Sequence, residues 1–461
     1  MKKIITRLAQ LRAPLLNGLL VILLAVLFVQ CGVFMAMYAG VRRSSADVPF
    51  DMRMLSASSS DALRELNPKL LAPESIAIHD GTSCHAVLHS AVVVEELYTE
   101  MSHCLFPALL AEPMEAAKEE WDAALKNTYV YARYANELPY QVICAFAASL
   151  ADSDAQVRRT EPYVGVREIL LIADENGNFV WLLVRGTGGI FRFALAAENN
   201  ASVFTAYPLT YSESFCKAEL VDRGDMCILK TEDSLPSRVI HTSSGVTTLL
   251  TTNQDILRFL NFNPDKLNYH VEPDGTYIYV ESHGILRAGT EEMLYHATES
   301  GGIEIDGIGG GSAADIYAYL RVASYLINRL GTMSYQYIGG DAGLYLESVS
   351  ADGETVTLSF KFRCDNIVLA GGEESQGMTL RFTGNRLTEI RYRMMIIRRT
   401  LEENRIMLQS WYRRMLGGDE TADMRLIYST EGNSYTLTAA WAVIASADTE
   451  EGGDPAWVEQ D

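Results

Sequence analysis

The chain of 461 residues has 38 Lys and Arg against 59 Asp and Glu, and the resulting net charge of −21 excludes a nucleic-acid partner and a polybasic membrane clamp. With 48% hydrophobic residues the composition is that of a folded protein, with room for two or three domains that each bury a core.

Residues 1–12 are short and basic, with Lys2, Lys3, Arg7 and Arg12. Ala13 to Val41 follows as an uncharged run closed by Arg42 and Arg43. A helix needs ~20 apolar residues to cross a bilayer, so residues 13–41 are expected to form a transmembrane anchor. The excess of positive charge before it predicts a cytoplasmic N-terminus, with the bulk of the chain outside the cell. A cleaved signal is the rival reading, but its apolar region is shorter and ends in small residues, whereas this run offers only Met37-Tyr38-Ala39. Lipid attachment at Cys31 is disfavoured because Gln30 precedes it. Gly18, Ala25, Gly32 and Ala39 recur every seventh residue and form one narrow stripe, where a second helix can approach closely. Asn17 and Gln30 lie off that stripe.

Residues 42–75 are punctuated by Ser and Pro and read as a spacer. A first α+β region is expected over 76–245. It begins with a strand at Ile76 to His79, then helices over Ala86 to Met101 and Pro113 to Lys126. Strands are expected at Tyr129 to Tyr134 and Gln141 to Ala147, followed by a meander of Val166 to Ala173, Phe179 to Arg185 and Ile190 to Leu195, turned at Asp174 to Gly177. Ala197 to Gly245 loses periodicity and reads as an irregular connection.

A second α+β region is expected over 246–445, with a further division near 331. Asn253 to Asn261 reads as a helix, with short strands at Leu267 to Val271, Thr276 to Val280, Ile285 to Arg287 and Met293 to Tyr295. Ser312 is a good N-cap for a helix over Ala313 to Leu330, with Gly331 placed to end it. Strands follow at Leu344 to Val349, Thr355 to Phe362, Met378 to Phe382 and Leu387 to Met395. A charged helix is expected over Arg398 to Met415, then a hairpin of Leu426 to Ser429 and Tyr435 to Ile444. Residues 446–461 form an acidic tail expected to be disordered. The fold class is thus α+β: one N-terminal transmembrane helix, then extracytoplasmic domains of antiparallel sheets with helical cover.

Candidate chemistry is sparse. Cys84, His85, His89, His103 and Cys104 are close in sequence, and His85 and His89 share a face if the helix begins early. No H-E-x-x-H accompanies them, so a helix that happens to carry two histidines is the stronger reading and no metal site is assigned. Gly307 to Ser312 opens a helix as phosphate loops do, but no Lys-Ser or Lys-Thr follows and a plain connection is favoured. Glu119-Glu120 and Glu373-Glu374 read as solvated faces in an acidic chain. No catalytic residues and no cofactor are assigned. The cysteines outside the anchor, Cys84, Cys104, Cys144, Cys216, Cys227 and Cys364, leave disulfides and reduced buried thiols equally open.

The order of parts, together with Asp255 to Tyr295, where a helix leads through Phe262-Asn263-Pro264 to Asp274-Gly275-Thr276 and Leu294-Tyr295, resembles the YycH family. Glu168 to Leu195 and Tyr335 to Met395 add to the likeness. The resemblance implies a non-enzymatic, membrane-anchored accessory regulator in Gram-positive bacteria. Its implied partners are WalK, a sensor histidine kinase of a two-component system, and YycI, and its implied role is in cell-wall homeostasis. The alternatives are an extracytoplasmic envelope enzyme, which needs a cleft gathering His or carboxylates, and a wall-polymer binder, which needs a groove lined by some of the five Trp and 23 Tyr.

Overall fold

Alternating apolar residues dominate the chain after the spacer, and the result is mostly β. The computed structural model describes residues 66–109, 111–150, 165–195, 200–244, 257, 260–262, 268–289, 291–299, 301–305, 316–334, 342–370, 376–393, 395–415, 423–430 and 436–444. All of these fall in one compact unit, Met52–Asp461. The anchor with its stripe, the Gly307 to Ser312 loop, Glu373-Glu374 and the acidic tail lie outside the described residues. No helix among the described residues is long and apolar enough to cross a membrane.

The chain enters through a short turn at Pro68–Leu70, with Leu66, Leu70 and Leu71 buried. Strands β1 (Ser75–His79) and β2 (Cys84–Val87) make a hairpin, so the expected helix at Ala86 begins later, as α1 (Ala91–Leu109). The reason is pairing: Ile76 and Val87 stand opposite each other, and the strand register carries Cys84 and His85 with it. After β3 (Met114–Glu115) the short helix α2 (Lys118–Ala124) buries Trp121, and β4 (Tyr129–Pro139) runs straight into α3 (Tyr140–Leu150). The expected strand at Gln141 to Ala147 is therefore a helix, held against α1 by Tyr140 Oη donating to the Leu109 carbonyl at 2.6 Å, while Tyr134 Oη of β4 donates to Tyr98 Oη of α1 at 2.9 Å.

The meander β5 (Gly165–Ala173), β6 (Phe179–Gly186) and β7 (Gly189–Ala194) forms as expected, with Gly177 at φ 79° in the turn, where a side chain would be strained. The stretch expected to be irregular is ordered. Two single helical turns (Ser202–Thr205 and Tyr207–Thr210) precede β8 (Cys216–Asp222), β9 (Cys227–Thr231) and β10 (Leu235–Ser244). Sheet order in the first half is β3-β7-β6-β5-β4-β1-β2-β8-β9.

β10 joins the second sheet instead. This sheet begins with the ribbon β11 (Asn268–Val271), β12 (Tyr277–Glu281), β13 (Gly284–Ala288) and β14 (Glu292–Ala297), followed by β15 (Ile303–Glu304). Helix α4 (Ile316–Ser334) covers it, burying Ile316, Leu320, Ala323, Ile327 and Leu330 as the spacing predicts. The helix passes through Gly331 and ends at Ser334. β16 (Ala342–Asp352), β17 (Thr355–Cys364), β18 (Ile367–Leu369), β19 (Gln376–Thr383) and β20 (Arg386–Arg393) follow. The expected charged helix at Arg398 is the long strand β21 (Met395–Ile406), and only Gln409–Met415 is helical, as α5. Nine of the twelve residues of β21 find a ladder along β10, which outweighs their charge-spaced helical pattern. The hairpin β22 (Asp423–Thr430) and β23 (Thr436–Ile444) closes the chain. The second sheet, in the order β11-β12-β13-β14-β20-β19-β17-β18-β22-β23-β10-β21, is antiparallel except for the parallel pair β18 and β22.

Candidate functional site

Charged side chains are costly to bury unless paired, so the buried ones mark where this protein spends stability on arrangement. Two such groups occupy the same strands. The first closes the open end of the first sheet. Glu168 on β5 is fully buried, and it receives Tyr131 Oη at 2.5 Å, the Cys227 backbone N–H at 2.7 Å and the Arg185 guanidinium. Arg185 also reaches Asp222 Oδ1 at 2.6 Å and Cys227 Sγ at 3.0 Å, and lies 4.2 Å over the Trp121 ring. Four strands separate β5 from β9 in the sheet order, yet Glu168 touches Cys227; the sheet must curl until the β8–β9 turn meets β5 and β6.

The second group joins the two sheets. Arg133 on β4, opposite Glu168 in the register, is 4% exposed and donates to Asp423 Oδ1 of β22 at 2.8 Å. Its other terminal nitrogen lies 3.4 Å from Glu74, which Arg425 also approaches at 3.4 Å, while Arg167 stands 3.6 Å from Asp423. Three guanidinium groups thus share two carboxylates. Burial opposes the charge on Arg133, but Glu74 and Asp423 more than offset that and hold it above the ordinary guanidinium range. Burial, with repulsion from Arg425 and Arg133, pushes Arg167 down. Burial also works against ionised Asp423, but Arg133 and Arg425 keep its carboxyl below the usual range. A cavity of about 10 Å³ beside Glu74, Ser75, Arg133 and Arg425 has room for a single water and is too small for a substrate.

The segment that follows the spacer is clamped at the same place. Arg363 on β17 is buried, donates to the Ala72 carbonyl at 3.1 Å and to that of Lys69 at 2.5 Å, and is lowered by burial to about 10. Asn366 bonds the carbonyls of Glu74 and Leu88, and the Asn67 backbone N–H donates to Ser324 Oγ of α4 at 3.0 Å. Residues 67–74 are therefore fastened to both sheets.

The candidates singled out in the sequence do not converge. Cys84 and His85 are on β2, His89 is in the following turn, and His103 and Cys104 are on α1, with His103 exposed. No group of three or more His, Cys, Asp or Glu among the described residues could hold a metal ion. Cys84, Cys104, Cys144, Cys216, Cys227 and Cys364 are free thiols. Burial pushes Cys84 and Cys104 up to about 11 and Cys216 and Cys227 up to about 12, the opposite of what a nucleophile requires. Glu120 caps α2 through the Ala117 N–H and pairs with Arg192, so it is held on both sides and is not merely solvated. Sequence reasoning missed Arg133, Glu168, Arg185 and Asp423; the one available signal was a charged residue inside an apolar strand.

His89 has a measurable consequence. Burial pushes its imidazole down to about 4 from an ordinary 6.5, partly opposed by the backbone of Glu213, and Nδ1 finds no partner. The unfolded chain takes up this proton near 6.5 and the folded chain near 4, so the stability from neutral His89 is complete above pH 6.5 and is lost as pH falls to about 4. Between those values His89→Gln is expected to lose about 2 kcal/mol less than the parent chain, partial exposure included. Urea midpoints across that range check it, and parallel profiles would contradict it.

A comparison with known protein families finds no match, and neither does one with curated proteins. Among solved structures the chain is similar to the crystal structure of YycH from Bacillus subtilis, at 11% sequence identity and a TM-score of 0.54, covering 82% of this chain and 94% of that one. The fold is that of YycH.

Proposed function

We propose that the protein is a membrane-anchored, extracytoplasmic accessory regulator of a two-component sensor histidine kinase, acting through protein–protein contacts and not as an enzyme. The observation that carries this reading is the YycH fold over 82% of the chain, set behind an apolar run long enough to span a bilayer. The YycH resemblance makes the partners a WalK-like kinase and a YycI-like co-regulator in cell-wall homeostasis. Supporting it, the buried carboxylates Glu168 and Asp423 are tied up in ion pairs, and burial pushes the thiols of Cys84, Cys104, Cys216 and Cys227 up. Residues 13–41 are the anchor in this reading, and Gly18, Ala25, Gly32 and Ala39 are where partner helices pack.

The test is affinity capture of the full-length protein from membranes. A histidine kinase is expected among the captured proteins, and the double variant Ala25→Leu, Gly32→Leu is expected to lose it while staying inserted and folded. Unchanged capture by that variant, or no kinase in any capture, overturns the reading.

A further inference from the structure

A strand at the edge of a sheet exposes unpaired N–H and C=O groups, and proteins guard such edges with charge, proline, bulges, short length or cover. Most edges among the described residues are guarded. β3 and β15 have two residues each. β9 is covered by α5, where Gln409 bonds the Thr231 N–H and the Leu229 carbonyl. β16 lies against β4, with Asn136 donating to the Glu347 carbonyl at 3.2 Å. β21 carries Arg398, Arg399, Glu402, Glu403 and Arg405 and meets β10 across a bulge.

Among the described residues, β11 has no such charge, proline, bulge or cover, and at four residues it is twice as long as β3 or β15. Its sequence Asn268-Tyr269-His270-Val271 has no Asp, Glu, Lys, Arg or Pro, and its register with β12 runs without a bulge. Hydrogen-bonded residues alternate along an antiparallel pair. Glu272 is one of them, its N–H donating to the Thr276 carbonyl at 2.9 Å, so His270 and Asn268 turn inward too. The N–H and C=O groups of Tyr269 and Val271 therefore point out from the edge.

The side chains beside those groups say what fits. Tyr269, Tyr277 and Tyr279 share one face, their ring centroids 6.1–6.2 Å apart. Tyr269 is 60% and Val271 41% exposed, and Glu281 ends the same face. On the opposite face Glu272 is already paired with Arg287 at 2.7 Å. Aromatic faces and an acid attract Lys or Arg, and the net charge of −21 draws a basic segment to the protein from a distance.

We infer that β11 is a docking edge for an extended, basic segment of another protein, which adds to the sheet as a further strand and lays its Lys or Arg side chains over the tyrosine face. A second copy of this chain fits poorly, because it brings the same negative charge and its own β11 supplies no cation. A glycan fits poorly as well, since a sugar makes no use of the outward N–H and C=O groups of a strand edge as a ladder.

The test uses the full-length protein in detergent with the acetylated peptide KVKVKV, the matching EVEVEV and chitotetraose as probes, read by hydrogen exchange and by binding. KVKVKV is expected to slow exchange in Asn268–Val271 about tenfold or more, with EVEVEV and chitotetraose inert. Val271→Pro removes an outward N–H without touching the inward ladder and is expected to weaken KVKVKV about tenfold. Tyr269→Ser, which leaves the backbone intact, is expected to weaken it several-fold. Equal protection by EVEVEV, protection by chitotetraose alone, no protection of 268–271 by KVKVKV, or unchanged affinity in Tyr269→Ser overturns the inference.

Discussion

Arg185→Met is expected to lower the unfolding free energy by about 3–5 kcal/mol, among the largest effects of any single substitution in this protein. Glu168 is fully buried, and without Arg185 its charge rests on the Tyr131 hydroxyl and the Cys227 N–H alone. Methionine keeps an apolar stem of similar length, so the loss reports the guanidinium, its stacking over Trp121 included, rather than a cavity. Adding Glu168→Gln removes the stranded charge and is expected to recover most of the loss, because a neutral amide can still accept both bonds. Urea unfolding of the single and double variants, followed through tryptophan fluorescence, checks it. A single variant within about 0.5 kcal/mol of the parent would show that the curled end of the sheet does not depend on this pair.

The sheets were legible wherever strands alternate and turns are local. Val166 to Ala173 and Phe179 to Arg185 meet across Asp174 to Gly177, and both the strands and the turn form where their residues predict. Tyr140–Leu150 misled because it buries Val142, Ile143, Ala145, Phe146 and Ala147 on every side, which erases the helical period that would separate it from a strand. β21 misled in the opposite direction: an edge strand can expose charges on both faces, and Arg398, Glu402, Arg405 then fall at helical spacing. β8 was lost among Lys217, Glu219 and Asp222, since it buries little beyond Cys216. The charged junction lay beyond sequence reading for a plainer reason, namely that Arg133 and Asp423 are 290 residues apart. Nothing local in either strand announces the other.

That separation makes Arg133 the second substitution with a large expected effect, and its consequences differ from those of Arg185. Arg133→Met is expected to cost about 3 kcal/mol, at the lower end for a broken buried pair because Arg425 and Arg167 remain near the two carboxylates. Its effect should be uneven across the molecule. Arg185 is held within the first sheet, whereas Arg133 ties β4 to β22, and Glu74 in the same group follows directly on the residues clamped by Arg363. Loss of Arg133 is therefore expected to speed hydrogen exchange in β22 and in residues 67–74 more than in the β5–β6 hairpin. Asp423→Leu added to Arg133→Met removes both buried charges and should recover part of the stability, since an ion pair replaced by apolar side chains is often neutral. Uniform acceleration across both sheets would mean that the junction has no local role, and the clamp on residues 67–74 would then rest on Arg363, Asn366 and Asn67.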